Sequence, residues 1–392
     1  MLLINILNNN FNETFKQTKM TFRVETNKLL EALQKTIKVV PSRSTLPILG
    51  CALFDFNENE MTVKATNLET SISETIKING DRPKEPIAIP IGRLLEITNS
   101  ITDKEIEFSI NKKKQLEIKT EAGKYSIMGQ DHTEYPTDPI MNETQSIYLN
   151  TEALFEIIDF TKNSTSKNEL KPALQGVLIK IDESRIIGVS TDGHRLSRII
   201  KENTNNENKE QEIIIPTKFL TLLTTFVEKK EKAEIEISKN HMSLSYKNTT
   251  IFSRIIKDNY PNYEKVIPLD NKKILTTNKQ NLINAIKRVS IFSNRATKQI
   301  TLRITNKQTT ISTEDSEQAA RGTEKIDSQF NSTEELKIGF NAIFVLEALG
   351  NIKSENITMF LSGSLSAAIL SETTKDKKTD KLILLMPIRL ND

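Results

Sequence analysis

Apolar and polar positions along the chain switch between two periods, and the switching recurs. After Thr21, the short run Phe22-Arg23-Val24 predicts a strand. Leu29, Leu30, Leu33, Ile37 and Val40 then fall at three- and four-residue intervals, predicting an amphipathic helix with Asn27 as its cap. Pro41 and Pro47 break this pattern, and period-two runs predict strands at 51–56, 60–66 and 71–78. Residues 87–90 read as a strand entering a helix from 91 to about 100. Strands near 105–110, 115–120 and 124–128 follow, and the unit closes on Tyr135-Pro136.

The same order then begins again. A strand at 147–150 leads to a helix at 152–161, strands at 176–181, 185–190 and 195–200, and a strand at 213–216 entering a helix at 219–226. Strands at 234–237, 242–246 and 249–256 end at Tyr260-Pro261. A third copy starts at 273–276, continues through a helix at 280–292 and a second helix after Gly339, and ends near Pro387. The offset of about 125 residues is that of a domain, not of a solenoid repeat. The pattern predicts an α+β protein of three similar domains, 20–144, 145–271 and 272–392, each with two helices on antiparallel sheets. Residues 1–19 read as an extension, disordered or a misassigned start. Their apolar beginning lacks a basic flank and breaks at Asn8-Asn9-Asn10, and Met20 directly precedes the first strand. The charged stretches 201–212 and 372–381 read as exposed loops.

Composition narrows the classes. With 37% hydrophobic and 27% charged residues the chain reads as soluble and globular, and a net charge of +3 over 392 residues implies no strong overall field for nucleic acid. Cys51 is the single cysteine, which excludes an internal disulfide and fits a cytoplasmic location. No run reaches the length of a membrane span, so no membrane partner is expected. His132, His194 and His241 stand at no metal-ligand spacing, and neither a Gly-rich phosphate loop nor a nucleophile elbow is present; no metal or cofactor is expected.

One stretch invites an enzymatic reading: Thr191-Asp192-Gly193-His194-Arg195-Leu196. As a hydrolase, His194 would be the general base and Asp192 its orienter, although adjacent Asp and His in a turn rarely face each other. The Asp192-Gly193 pair by itself reads as a hairpin turn. The corresponding turns, Thr66-Asn67-Leu68-Glu69 and Thr313-Glu314-Asp315-Ser316, contain no Gly-His-Arg. The middle copy therefore carries something that turning the chain does not require.

That stretch, together with Met386-Pro387-Ile388-Arg389-Leu390, Thr45-Leu46-Pro47-Ile48-Leu49-Gly50, Tyr260 to Pro268 and Ile338-Gly339-Phe340-Asn341, resembles the bacterial DNA polymerase III beta subunit family, the sliding clamps. The motifs occur in the family's order and span 20–390. The resemblance implies a non-catalytic processivity factor, a head-to-tail homodimer closed as a ring around double-stranded DNA. Its implied partners are the DNA polymerase III alpha subunit, the clamp loader, and other DNA polymerases and repair proteins carrying clamp-binding peptides.

Carried over residue by residue, the implied peptide groove uses Leu174, Thr191, Gly193, His194, Arg195, Leu196, Pro261, Lys265 and Val266. From the third domain it adds Asn341, Phe344, Met386, Pro387, Ile388, Arg389 and Leu390. Lys265 stands where the family commonly has arginine, and Ile388 where it has methionine. For DNA the resemblance points to Arg43, and the polar helix faces add Lys28, Lys35 and Lys218. For subunit closure it points to Arg93, Tyr125 and Ile127 at one end and Ile291 and Phe292 at the other. The rival to the ring is a monomeric scaffold with the same peptide groove.

Overall fold

A computed structural model describes residues 21–202, 210–228, 232–372 and 379–390. The extension at 1–19 lies outside the described residues, as do the centres of both charged stretches. The first copy comprises β1 (Thr21–Glu25), α1 (Thr26–Thr36), β2 (Cys51–Asn57), β3 (Glu60–Thr66), β4 (Thr70–Lys77), β5 (Asn79–Gly80) and β6 (Ile87–Pro90). It continues with α2 (Ile91–Ser100), β7 (Glu105–Ile110), β8 (Gln115–Lys119), β9 (Lys124–Met128) and β10 (Gln130–Asp131). The second comprises β11 (Gln145–Asn150), α3 (Thr151–Thr161), β12 (Gly176–Ile181), β13 (Arg185–Thr191) and β14 (Arg195–Glu202). It ends with β15 (Gln211–Pro216), α4 (Thr217–Phe226), β16 (Lys232–Ile237), β17 (His241–Tyr246) and β18 (Thr249–Arg254). The third comprises β19 (Lys273–Asn278), α5 (Lys279–Val289), β20 (Gln299–Ile304), β21 (Gln308–Asp315), β22 (Ala320–Asp327) and β23 (Gln329–Phe330). Its second half is β24 (Leu336–Asn341), α6 (Ala342–Gly350), β25 (Asn356–Leu361), β26 (Ala368–Glu372) and β27 (Thr379–Leu385).

Each helix grows directly out of a strand. At three of these junctions an asparagine caps the helix, because its side-chain oxygen accepts N–H groups that have no partner inside the first turn. Asn150 caps α3, Asn278 caps α5 and Asn341 caps α6. The expected cap at Asn27 is not formed. Asn27 lies inside α1, which starts one residue earlier at Thr26, where the backbone N–H donates to Lys104 O at 3.0 Å and the hydroxyl to Asp103 O at 2.6 Å. α1 and α5 also end before the expected 40 and 292. In each a tighter single turn follows, at Ile37–Val39 and at Ser290–Phe292.

The described residues pack as two compact units. One holds residues up to Ser146 together with Glu234–Arg254; the other holds Ile147–Ala233 and the chain from Ile255 onward. The sequence repeat and the packing therefore divide the chain differently, since β16 to β18 of the second copy pair with the first copy's β4. Pairing β18 with β4 leaves neither strand with an open edge there.

In the first unit one sheet runs β5-β1-β7-β8-β9 and another β10-β6-β2-β3-β4-β18-β17-β16. α1 and α2 pack together over a core that includes Phe22, Leu29, Leu33, Phe54, Met61 and Phe108. Phe22 meets Phe56 edge-on at 5.3 Å and stacks on Phe108 at 5.5 Å. In the second unit the sheets run β15-β12-β13-β14-β27-β26-β25-β19-β23 and β22-β21-β20-β24. There α3 packs on α4 and α5 on α6.

Candidate functional site

The stretch from Thr191 to Arg195 forms the turn joining β13 to β14. Asp192 Oδ1 accepts the backbone N–H of His194 at 2.8 Å and of Arg195 at 3.0 Å. The Thr191 hydroxyl donates to Arg195 O at 2.7 Å and accepts from Gly193 N at 3.1 Å. Gly193 takes φ +92°, in the left-handed region that favours glycine. Asp192 thus serves the main chain, as the hairpin reading expects. The imidazole of His194 receives no orienting bond from it, which removes the pair a hydrolase would use.

The first copy builds the same turn from other residues. Asn67 Oδ1 accepts from Glu69 N at 3.0 Å and Thr70 N at 2.8 Å, and the Thr66 hydroxyl donates to Thr70 O at 3.2 Å. Leu68 replaces the glycine at φ +76°. The chain therefore turns without Gly-His-Arg, and the second copy differs in its side chains: His194 and Arg195 stand where the first has Glu69 and Thr70.

Those two side chains meet α6. The His194 ring lies 6.4 Å from the Phe344 ring at 24° between planes. The Arg195 guanidinium sits 4.3 Å from the Phe344 centroid, a cation–π distance. Arg195 Nε donates to Asp192 Oδ2 at 3.1 Å, and another of its nitrogens donates to Glu347. With a side chain only 10% exposed, Arg195 is held on three sides within the chain. Arg195 thus binds the turn to α6 and supports Phe344. Glu347 was missed by sequence reasoning. Its signal was present, since it is the one charged residue in the otherwise apolar helix Ala342–Gly350.

The carboxy-terminal segment completes the site. β27 pairs with β14 at Leu384↔Leu196 and Leu385↔Arg195, and Met386 N then donates to His194 O at 2.8 Å. Two residues on, Ile388 N donates to Gly339 O at 2.8 Å. A Cβ on Gly339 would lie 2.6 Å from Leu390 Cδ2 and 2.8 Å from Ile388 O, so glycine is what lets this segment seat against β24. Asn341 follows at the end of β24; besides capping α6, its amide donates to Thr297 O at 3.1 Å. Met386 is 42% exposed, Pro387, Ile388 and Leu390 are half-buried, and Arg389 is exposed.

Leu196 and Leu174 are interior. Leu196 packs in a cluster with Leu178, Val189, Tyr263 and Leu384, and Leu174 is buried beside β12. Both lie beneath the surface formed by the turn and the carboxy-terminal segment. Pro261, Lys265 and Val266 are exposed on a segment anchored by Tyr260 and Tyr263, which pack on the same cluster. Tyr260 donates to Val189 O at 3.4 Å, and burial raises the pKa of both phenols, keeping them neutral. The surface that results is largely apolar; Thr191, Asp192, Arg195 and Asn341 spend their polar groups within the chain, and Lys265 and Arg389 are exposed at its margin. It suits short apolar side chains and offers no activated nucleophile. Among the described residues, no group of three or more His, Cys, Asp and Glu is placed to hold a metal ion.

The remaining sequence-predicted residues lie apart from this site. Arg43 is exposed on the chain after α1, and Lys218 is exposed in the first turn of α4. Lys28 is exposed and pairs loosely with Glu31 at 3.5 Å. Lys35 is committed inward: its ammonium meets Glu74 at 2.8 Å and the Thr249 hydroxyl at 3.1 Å, with Glu74 only 8% exposed. Its charge is thus shared with a buried carboxylate, unlike the exposed Lys28 and Lys218. Arg93 is exposed on α2, and Tyr125 is 43% exposed on the edge strand β9. Ile127, on the same strand, points into the core, so only its backbone is presented at the edge. Ile291 and Phe292 are exposed beside the edge strand β22, where Phe292 lies over Gly322.

Comparison with known proteins gives a consistent picture. Family profiles described as the DNA polymerase III beta subunit match in order: its N-terminal domain at residues 20–139, its central domain at 148–262 and its C-terminal domain at 264–389. The chain is 26% identical to the beta sliding clamp of Haemophilus influenzae, with 95% of this chain and 100% of that protein covered. It is also 26% identical to the beta sliding clamp of Bacillus subtilis, over 94% and 100%. Among solved structures, the Bacillus subtilis DNA polymerase sliding clamp superposes with TM-score 0.86 at 25% identity, covering 95% of this chain and 100% of that one. A Bartonella birtlesii sliding clamp bound to griselimycin superposes with TM-score 0.87 at 25% identity and the same coverage.

Proposed function

The chain belongs to the DNA polymerase III beta subunit family, and from that premise we propose how its parts act as a sliding clamp. It is a non-catalytic processivity factor. The observation that carries the groove assignment is the junction of Met386 with His194, which sets the apolar carboxy-terminal segment beside the turn and Phe344.

In this reading a partner's short peptide lays apolar side chains on Met386, Ile388, Leu390 and Phe344, with His194 at the rim. Leu196, Leu174 and Arg195 hold that surface in place from behind. Burying one leucine and one aromatic ring contributes about 3–6 kcal/mol gross. Ordering the peptide offsets part of it, which leaves affinities on the order of micromolar for a single motif. Methionine fits differently shaped side chains, which suits a site used by several partners. The partners are the DNA polymerase III alpha subunit, the clamp loader, and other polymerases and repair proteins with such peptides. The Bartonella birtlesii clamp's complex with griselimycin supports a ligand site in this family.

The division into domains at 20–144, 145–271 and 272–392 is supported by three consecutive family matches. Two copies close head to tail: the open edge of β9, with Arg93 and Tyr125, meets the open edge of β22, with Ile291 and Phe292. Joining two exposed edges satisfies their backbone groups and closes the assembly. The ring encircles double-stranded DNA, and Arg43, Lys28 and Lys218 attract phosphates loosely enough for sliding. The protein acts in the cytoplasm.

The alternative is a monomeric scaffold with the same groove. Sedimentation of the full chain at micromolar concentration separates the two: the ring requires twice the 44.5 kDa chain mass. A species of single-chain mass would remove the ring and leave the scaffold.

A further inference from the structure

The first unit contains a pocket built on the same plan as the groove. Four relationships recur position by position. Thr66-Asn67-Leu68-Glu69-Thr70 makes the turn of Thr191-Asp192-Gly193-His194-Arg195, with the same side-chain bonds to the main chain. Thr70 pairs across the sheet with Ser253, as Arg195 pairs with Leu385. The next residue, Arg254, donates its N–H to Glu69 O at 3.0 Å, as Met386 donates to His194 O at 2.8 Å. Finally, Tyr135 donates to Lys64 O at 3.1 Å, two residues before the turn, as Tyr260 does to Val189 O.

The side chains on this frame are different. Arg254 stands in the place of Met386 and Glu69 in the place of His194. Between the turn and the segment at Pro136–Pro139 lies a cavity of about 70 Å³, several times the roughly 15 Å³ that one water needs. Leu68, 52% exposed, lies at its mouth, and His241 stacked on Phe252 at 5.1 Å forms a wall. Asp138, which also lines the cavity, is paired with Lys64 at 2.7 Å and accepts the Ser71 hydroxyl at 2.8 Å. Arg254 and Glu69 are exposed and have no ion-pair partner among the described residues, so the mouth presents one charge of each sign.

We propose that this pocket is a second peptide site, taking an extended partner segment in which an apolar residue is flanked by an acidic and a basic one. The apolar residue enters the cavity beside Leu68, the acid faces Arg254 and the base faces Glu69. The proposal rests on the reading of the His194–Met386 surface as a peptide groove, whose frame it shares. The charge pattern separates the two sites: the groove selects apolar motifs, and this pocket selects mixed-charge ones.

The test uses the full chain with labelled methyl groups and two probes added separately, a glutamate–leucine–lysine tripeptide with blocked ends and the reverse sequence. At least one should shift the Leu68 methyls and bind about three- to fivefold more tightly than its glutamine–leucine–glutamine counterpart, as expected for rim ion pairs. Arg254→Ala and Glu69→Gln should each reduce that preference, and the double variant should abolish it. Leu68 methyls that stay still at millimolar probe, or a preference unchanged in both variants, would overturn the proposal. A clamp-type apolar peptide read at Ile388 and Leu390 reports on the groove independently, so failure at Leu68 with response at Ile388 rejects the second site alone.

Discussion

The backbone N–H of Met386 donates to the carbonyl of His194 at 2.8 Å, tying the carboxy-terminal segment to the turn of the second copy. The groove exists because residues nearly two hundred positions apart in sequence share this bond and the β14–β27 register behind it. Removing residues 386–390 should therefore abolish binding of polymerase peptides. His194→Ala, which spares the backbone bond, should weaken binding about tenfold. Gly339→Ala should also lose more than about tenfold, because its Cβ has backbone as well as side chain in the way. Peptide titration by fluorescence anisotropy reads all three. Unchanged affinity in the deletion would reject the groove.

A second expectation concerns pH. Glu156 on α3 faces Lys381 at 3.0 Å and Lys201. Burial alone would raise its pKa, but the two lysines outweigh burial and hold it at about 2, below the ordinary 4.5. Because the folded value is the lower one, the stabilisation is complete above about pH 5 and is lost as pH falls towards 2. Glu156→Gln should cost about 1–2 kcal/mol at pH 7, and the gap from the parent should shrink to less than about half of that near pH 3. Urea unfolding at both pH values measures it. An equal gap at both would show that the ion pairs are not its source.

The contrast between Lys35 and Arg43 gives a third. Lys35 neutralises the buried Glu74, so Lys35→Ala should lower stability by about 1–3 kcal/mol and leave a buried charge unpaired. Arg43 is exposed, and Arg43→Ala should leave stability unchanged. If Arg43 contacts a phosphate, that change should also flatten the salt dependence of DNA association by about one unit of log–log slope. Thermal unfolding together with DNA association across a salt series reads both. The reverse pattern would exchange the two roles.

Much of this was legible in the sequence, because helix and strand periods are local properties. The repeat, most strand positions in the first two copies and the helix starts at Ile91 and near Thr151 follow from hydrophobic spacing alone. What remained hidden depends on partners distant in sequence. Asn27 looked like a cap because the carbonyls of Asp103 and Lys104, which bind Thr26, are more than seventy residues away. Arg195 looked available because Glu347 lies 152 positions on. Lys35 looked solvated because nothing nearby in sequence announces Glu74, and Ile127 looked like surface because edge strands also carry inward-facing residues. The turn was legible, because the sister turns lack Gly-His-Arg; the hydrogen bonds of Thr66 and Asn67 add that the first copy forms the same backbone turn without those residues.

The central claim, encirclement of DNA, is tested most directly by retention. The protein loaded onto circular duplex DNA should remain bound through gel filtration at moderate salt, and cutting the circle once should release it within minutes as it slides off the ends. Equal loss from intact and cut circles, or equal retention on both, would contradict a topological link.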